Sequence, residues 1–141
     1  MNSKIARLAA AVMAVGLFAG SAMAAYPTSI AGTWTAQANE SPWTIEISQP
    51  STTGIWNQIT GTFGSRELVG IYCPVTGRFY FVVEDQPTSN AAVQEYSGNV
   101  SNTGSTIFMS GVFGTVIPVQ GQGFPGGAIG EYNFSAYQVV P

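Results

Sequence analysis

The sequence predicts an all-β domain, built as an eight-stranded antiparallel up-and-down β-barrel. Three observations support this prediction. Apolar and polar residues alternate with a period of two, and no stretch beyond the first 24 residues keeps the helical period of about 3.6 residues. Clusters of glycine, proline, asparagine and serine separate the alternating runs. The connections leave no room for crossover helices, so the sheet would expose two edges unless it closed on itself.

The first 24 residues have the features of a secretory signal peptide. Lys4 and Arg7 make a short basic start, residues 8–18 form an apolar run too short to span a bilayer, and Ala22-Met23-Ala24 resembles a cleavage site. Removal of this segment leaves 141 − 24 = 117 residues, a length that suits one domain. We therefore predict a secreted or periplasmic protein in which residues 25–141 form a single β-barrel domain.

The chain after this segment contains eight predicted strands, at residues 32–37, 43–49, 56–63, 67–73, 78–84, 94–101, 106–113 and 131–140. The alternation is clearest in the second strand, where Trp43, Ile45 and Ile47 share one face and polar residues share the other. The third and fifth strands alternate in the same way, with one face formed by Ile59, Gly61, Phe63, Phe79, Phe81 and Val83. One face of each of these strands is therefore expected to be buried.

Most of the predicted connections are short turns. Residues 51–54, 74–77 and 102–104 contain residue types that tolerate a left-handed φ or preset the chain direction. The exception is the segment 116–130, whose fifteen residues include five glycines and two prolines. That segment is too long and too rich in glycine for a simple turn, so we predict a surface loop.

The composition excludes several kinds of chemistry. The chain has no histidine and one cysteine, so it cannot assemble a Ser-His-Asp or Cys-His pair, a zinc site of thiolates and imidazoles, or an internal disulfide. Two arginines and seven acidic residues remain after the signal peptide, a net charge of 2 − 7 = −5 that argues against nucleic-acid binding. No pair of acidic residues stands out as the two carboxylates of a glycosidase. We expect no enzyme activity, no cofactor and no metal.

Outer-membrane barrels with eight strands are an alternative, because they too begin with signal peptides. Their strands have about 9 to 11 residues and carry an apolar band on the outside. Most strands predicted here are shorter, and outward positions such as Thr44, Glu46 and Thr60 are polar. We therefore expect no membrane span in the mature chain.

Four short segments resemble the avidin and streptavidin family of small secreted barrels. Gly32-Thr33-Trp34 is similar to the start of the first strand in avidins and in other calycin-type barrels, including lipocalins. Ile59-Thr60-Gly61-Thr62-Phe63 and Tyr96-Ser97-Gly98-Asn99-Val100 resemble segments of the third and sixth avidin strands, and Asn133-Phe134 resembles a pair in the last strand. The four segments occur in the family order, so the similarity would cover nearly all of residues 30–139.

The resemblance implies a small-ligand-binding barrel that is closed at one end by Trp34 and assembled with further copies of itself. It also implies weak biotin binding, because the family's ligand contacts are largely replaced. The corresponding positions hold Ala36, Phe63, Val83 and Tyr132 in place of an asparagine, a tyrosine, a tryptophan and an aspartate, and only Ser65 matches. Each missing buried hydrogen bond costs about 1 to 3 kcal/mol. Tight biotin binding is therefore not expected.

The candidate ligand site lies at one mouth of the barrel and comprises Trp43, Trp56, Phe63, Ser65, Val83, Gln94 and Tyr132. The two tryptophans could stack on a ligand there, or else pack in the core. The rival function is a protein-interaction barrel with a filled interior, such as a secreted protease-inhibitor-like module, although such modules usually carry a disulfide. An interior that is empty around Phe63 favours the first function, and a packed interior favours the second.

Arg66 and Arg78 carry the only positive charge of the predicted mature chain. An anionic ligand would have to use one of them, whereas an arginine at a strand end more commonly serves solubility. The lone Cys73 is expected to be buried and inert, with pairing between chains as the alternative.

The seventh strand is apolar on both faces, which predicts that its outer side is covered. Its inward face would hold Ile107, Met109 and Phe113. A homo-oligomer would bury the outward face of the sixth to eighth strands, with Phe108 and Val112 as candidate contacts and Tyr137 and Val139 beside them. The alternative cover is the loop 116–130 of the same chain.

Overall fold

The computed structural model of the chain describes residues 26–84, 92–117 and 128–140. The predicted signal peptide lies outside the described residues. Within these ranges the chain has no helix, and its eight antiparallel strands pair in sequence order to form a closed barrel. The predicted fold class is therefore confirmed. No helix of the described part is long and apolar enough to cross a membrane.

The strands begin and end close to the predicted positions, with one exception. Their bounds are β1 Gly32–Ala38, β2 Ser41–Ser48, β3 Asn57–Phe63, β4 Arg66–Cys73, β5 Arg78–Glu84, β6 Val93–Asn102, β7 Thr106–Ile117 and β8 Ala128–Val139. The exception is the loop predicted at 116–130. Its two flanks belong to β7 and β8, where β-branched Val116 pairs with Ile129 in register. Residues 118–127 of that loop lie outside the described residues.

The barrel closes where β1 pairs with β8. Four register pairs join these strands, from Thr35 with Tyr137 to Ala38 with Phe134. Every strand therefore has two neighbours, and no edge is left open to pair with another chain. Consecutive strands run in opposite directions, so β1, β3, β5 and β7 end at one end of the barrel, where β2, β4, β6 and β8 begin; it is called here the open end. The chain before β1 lies at the other end, the closed end, where β2, β4 and β6 end and β3, β5 and β7 begin.

The interior of the barrel is filled by aromatic rings. Phe81 and Phe113 stack on opposite sides of Tyr96, with centroid distances of 4.7 and 4.9 Å. The edge of Phe134 meets the same tyrosine ring at 5.1 Å, and Phe63 is 5.1 Å from it. The predicted inward faces of β2, β3, β5 and β7 are confirmed, except that Trp43 is partly exposed. The interior around Phe63 is packed.

Two facing glycines make room for this packing. Gly98 and Gly111 are register partners on β6 and β7, flanked in the same row by Phe79 and Phe134. A Cβ atom at Gly98 would lie 2.0 Å from the carbonyl oxygen of Ser110, so no larger residue fits without a shift of the backbone. Because neither glycine has a side chain, the rings of Phe79 and Phe134 can approach each other across the interior, with centroids 6.0 Å apart.

The chain before β1 seals the closed end. Trp34 is fully buried, as predicted, and its Nε1–H donates to the carbonyl oxygen of Ile30 at 3.0 Å. The Tyr72 hydroxyl donates to the carbonyl oxygen of Pro27 at 2.7 Å, and the Ile30 amide donates to Gln49 Oε1 at 3.0 Å. These three hydrogen bonds hold the chain before β1 across the end of the barrel, and they pair the polar groups that are buried there.

The outer face of the barrel is mainly polar on β1, β2, β3 and β6, whereas β4, β5, β7 and β8 carry exposed apolar side chains among polar ones. The predicted outward residues Phe108, Val112, Tyr137 and Val139 are exposed, and the register pair of Ser110 and Ser135 lies between Phe108 and Val112. A second exposed set on β4 and β5 comprises Val69, Ile71 and Tyr80. The single cysteine, Cys73, is buried and free at the end of β4.

Candidate functional site

A cavity of about 220 Å³ lies at the open end, on the side of the barrel away from Trp34. It is lined by Ala38, Asn39, Ser41, Trp43, Arg66, Gln94, Tyr96, Phe113, Thr115 and Tyr132. These residues come from β1, β2, β4, β6, β7, β8 and the β1–β2 turn. Because most of them belong to paired strands, the cavity has a largely preformed shape. We call it the mouth cavity.

The β1–β2 turn forms one rim of the mouth cavity. Its two central residues, Asn39 and Glu40, both have a left-handed backbone, with φ of 45° and 68°. A two-residue hairpin needs this conformation because it matches the twist of the strands. The Asn39 amide also donates to the carbonyl oxygen of Asn133 on β8 at 3.1 Å. The turn therefore holds Asn39 and Ser41 against the cavity.

Trp43 is held at the mouth by the β3–β4 turn. Gly64 in that turn has a left-handed φ of 62°, and a Cβ atom there would lie 3.0 Å from the indole ring. The Gly64 amide donates to the carbonyl oxygen of Thr44 at 2.8 Å, which ties the turn to β2. The Trp43 ring also packs on Phe63, with centroids 5.5 Å apart. The indole is 37% exposed, so it can contact both the core and a ligand.

Arg66 is the charged group of the mouth cavity. Its guanidinium carbon lies 5.3 Å from the centroid of Trp43 and 5.5 Å from that of Phe63, within the range of cation–π attraction. No carboxylate lines the cavity in the part of the chain that the structure describes. Arg66 is therefore the one charged side chain among the described residues that line the cavity.

A chain of hydrogen bonds crosses the floor of the cavity. The Tyr96 hydroxyl donates to Gln94 Oε1 at 3.1 Å, and Gln94 Nε2 donates to the Thr115 hydroxyl oxygen at 3.3 Å. Burial raises the pKa of Tyr96 to about 12, and the nearby Arg66 guanidinium opposes part of that rise. Tyr96 is therefore neutral at ordinary pH and acts as a hydrogen-bonding group, not as a base.

A second aromatic wall stands on the β7–β8 side. Tyr132 packs against Phe113 with ring centroids 5.2 Å apart. Its ring lies over Gly130, where a Cβ atom would be 2.5 Å from the tyrosine hydroxyl. The glycine therefore allows the ring to fold back along β8. Together with Trp43 across the opening, Tyr132 gives the cavity flat apolar surfaces of the kind that aromatic ligands contact.

The structure brings three of the seven predicted site residues to the cavity, namely Trp43, Gln94 and Tyr132. Phe63 and Val83 point into the same end of the barrel but are fully buried. Ser65 lies exposed in the β3–β4 turn, outside the cavity lining. Trp56 precedes β3 at the closed end and is 52% exposed, so it does not join the others.

Several lining residues are not among those predicted from the sequence for the site; they are Ala38, Asn39, Ser41, Arg66, Tyr96, Phe113 and Thr115. The signal for Arg66 was present. It is two residues before inward-facing Leu68, so the period of two predicts that its side chain points inward, and it follows a turn that returns to the end where Trp43 lies. The other lining residues could be predicted only with knowledge of the register between the strands.

The mouth cavity is lined by groups that can bind a ligand. Among the residues that the structure describes, no group of three or more His, Cys, Asp or Glu side chains could hold a metal ion. The lining groups are amides, hydroxyls, aromatic rings and one guanidinium. These groups can orient and hold a ligand by hydrogen bonds, stacking and charge.

Comparison with models of protein families and with curated proteins finds no match to this chain. The avidin-like resemblance of the four short segments therefore stays a prediction from the sequence. Function has to be inferred from the geometry of the cavity and its surroundings.

Proposed function

We propose that the mature chain is a secreted or periplasmic, non-catalytic protein that binds a small ligand in the mouth cavity. The observation on which this proposal rests is the preformed cavity at the open end, where aromatic rings and hydrogen-bonding groups converge. Such a combination of apolar surface with a few placed polar groups is typical of small-molecule sites. The signal-peptide features of residues 1–24 support the location, and the lack of histidine supports a role without catalysis.

The ligand site proposed here is shallower than the interior pocket that the resemblance to avidins implies. Phe63 is fully buried beneath Trp43 and contacts Tyr96 and Phe134, so the middle of the barrel has no room for a bicyclic ligand. The cavity volume of about 220 Å³ also lies below the 300–1,000 Å³ usual for drug-sized ligands. We therefore expect a ligand of about one ring.

The proposal can be tested by nuclear magnetic resonance titration of the labelled protein with a library of one-ring fragments. Binding at the mouth should shift the indole signal of Trp43, which the Trp43→Phe variant identifies. The Trp56 indole at the closed end is the matched control and should not move, as the Trp56→Phe variant verifies. A library in which no fragment shifts the Trp43 signal would contradict the proposal.

The rival function is a protein-interaction barrel, and the packed interior is the observation that favours it. In that case the outer surface binds a partner protein, and the mouth cavity holds only solvent. The two functions differ in the same titration, because the rival predicts no response of the Trp43 indole to any fragment. They also differ in mutational sensitivity, since substitutions at Trp43 and Tyr132 would leave partner binding unchanged.

We further propose that the chain forms a homo-oligomer through the outer face of β7 and β8. Phe108 and Tyr137 are register partners there and are 43% and 46% exposed, and Val112 and Val139 extend the apolar surface. Exposed apolar side chains that are close together on one face commonly mark interfaces, although the pair of Ser110 and Ser135 separates Val112 from Phe108 here. Light scattering should give a mass of two or more chains, and the double variant Phe108→Ser, Tyr137→Ser should reduce it. A single-chain mass for the unaltered protein would instead favour cover by residues of the predicted loop 116–130.

A further inference from the structure

The two arginines of the described residues occupy opposite ends of the barrel. Arg78 begins β5 at the closed end and is exposed. Arg66 begins β4 at the open end, and its side chain is on the inward face that it shares with Leu68 and Tyr72. An arginine that serves solubility is expected to point into solvent, as the outward neighbour Glu67 does. The inward direction of Arg66 therefore requires another explanation.

Arg66 is held in place by aromatic rings and not by a carboxylate. The guanidinium lies 5.3 Å from the centre of Trp43 and 5.5 Å from that of Phe63, which fixes its position over the core. A guanidinium presents five N–H donors around its edge, in a fork that matches the two oxygens of a carboxylate. Since no acidic side chain of the described residues lines the cavity, these donors suit a negatively charged ligand.

The other lining groups extend this preference for an acceptor-rich molecule. The Thr115 hydroxyl accepts a hydrogen bond from Gln94, which leaves its own O–H available to donate. Trp43 and Tyr132 offer flat faces on two sides of the opening, and the volume of about 220 Å³ limits the ligand to about one ring.

We propose that the mouth cavity binds a one-ring aromatic monocarboxylate, with its carboxylate on the guanidinium of Arg66 and its ring against Trp43. This inference rests on the ligand-binding function proposed above and names the class of ligand. The chemistry that recognises it is one charge-assisted, two-point contact beside an aromatic face.

The test compares benzoate with benzamide, which has nearly the same shape but no charge. Isothermal titration of the purified protein should show benzoate binding at least about tenfold more tightly. Arg66→Gln should abolish that preference, because it should lower the benzoate affinity by a larger factor than the benzamide affinity. Arg78→Gln, which removes the same charge at the closed end, should keep the preference. An unchanged far-ultraviolet circular dichroism spectrum shows that the Arg66→Gln variant is still folded.

The possible outcomes separate this inference from the function on which it rests. Equal affinities for benzoate and benzamide, both shifting the Trp43 indole, would overturn the carboxylate class and leave the ligand site standing. Retention of the benzoate preference in Arg66→Gln would also overturn it. If neither compound nor any fragment shifts the Trp43 indole, both proposals fail. Should Arg66→Gln not fold, Arg66→Lys keeps the charge but loses the two-pronged fork, and an unchanged benzoate affinity in that variant would contradict the two-point contact.

Discussion

The two ends of the barrel are made of the same eight strands but differ in how their polar groups are paired. At the closed end the Trp34 indole, the Tyr72 hydroxyl and the Ile30 amide each have a hydrogen-bond partner within the protein. At the open end Arg66 and Tyr132 face a cavity. The chain before β1 covers the closed end, whereas the described residues of the open end surround a cavity. The same strands thus support a paired polar cluster at one end and the proposed ligand site at the other.

Substitution of a tryptophan at each end should give the largest difference between them. Trp34→Ala removes a fully buried ring and should lower the free energy of unfolding by about 3 to 5 kcal/mol. Trp43→Ala removes a ring that is 37% exposed and should cost about 2 kcal/mol. Denaturant unfolding followed by far-ultraviolet circular dichroism measures both changes without relying on tryptophan emission.

An equal loss of stability in the two tryptophan variants would show that Trp43 belongs to the core and that the mouth is not a separate region. Trp56→Ala is a useful third variant, because Trp56 lies at the closed end but is exposed. It should behave like Trp43→Ala in stability and, unlike it, leave fragment binding unchanged.

Alkaline pH should lower the free energy of unfolding through a buried tyrosine at each end of the barrel. Burial raises the pKa of Tyr72 at the closed end and raises the pKa of Tyr96 beneath the cavity to about 12. The unfolded chain loses these protons near pH 10, about the ordinary tyrosine pKa, whereas the folded chain keeps them. The stability that they contribute is therefore complete below about pH 10 and declines as the pH rises through about 12.

For Tyr96 this decline should amount to about 1 to 2 kcal/mol, less than the full shift implies because polar groups surround the hydroxyl. Denaturant unfolding in a series of buffers from about pH 9 to 12 measures it. Tyr96→Phe should flatten the decline, and Tyr72→Phe should flatten it independently at the other end. A variant that declines as steeply as the unaltered protein would exclude that tyrosine as a cause.

The fold followed from the sequence because the period of two separates inward from outward residues in nearly every strand. The sequence prediction was less accurate about which residues lie at each end of the barrel. In a meander, the starts of β2 and β3 lie at opposite ends, so Trp43 and Trp56 could have been separated from strand direction alone. The filling of the interior could not have been predicted in this way. It depends on how the rings of Phe81, Tyr96 and Phe113 stack across strands that are distant in sequence.

Removal of one hydroxyl at each end should distinguish a paired polar group from a solvated one. Tyr72→Phe removes the hydrogen bond to the carbonyl oxygen of Pro27 and should cost about 1 kcal/mol, because that carbonyl then loses its partner. Tyr132→Phe at the open end should change stability by less than about 0.5 kcal/mol, since the residue is 40% exposed and water replaces its contacts. Denaturant midpoints at neutral pH provide the comparison. A larger loss in Tyr132→Phe would mean that the open end is sealed by bonds of its own.

The smallest expected effect, and the only gain, is at the turn of the open end that holds Glu40. Left-handed positions in other turns are occupied by glycine, at Gly64, Gly77 and Gly104, whereas Glu40 has a φ of 68° with a full side chain. That conformation costs a residue with a Cβ atom about 1 to 2 kcal/mol, part of which glycine returns through the greater freedom of the unfolded chain. Glu40→Gly should therefore raise the free energy of unfolding by about 0.5 to 1 kcal/mol, measured as a higher denaturant midpoint with an unchanged slope. Glu40→Gln keeps the Cβ atom and removes only the charge, so it should leave the midpoint where it is. If the glutamine variant gains as much as the glycine variant, the cost at this turn is electrostatic and not a matter of backbone conformation.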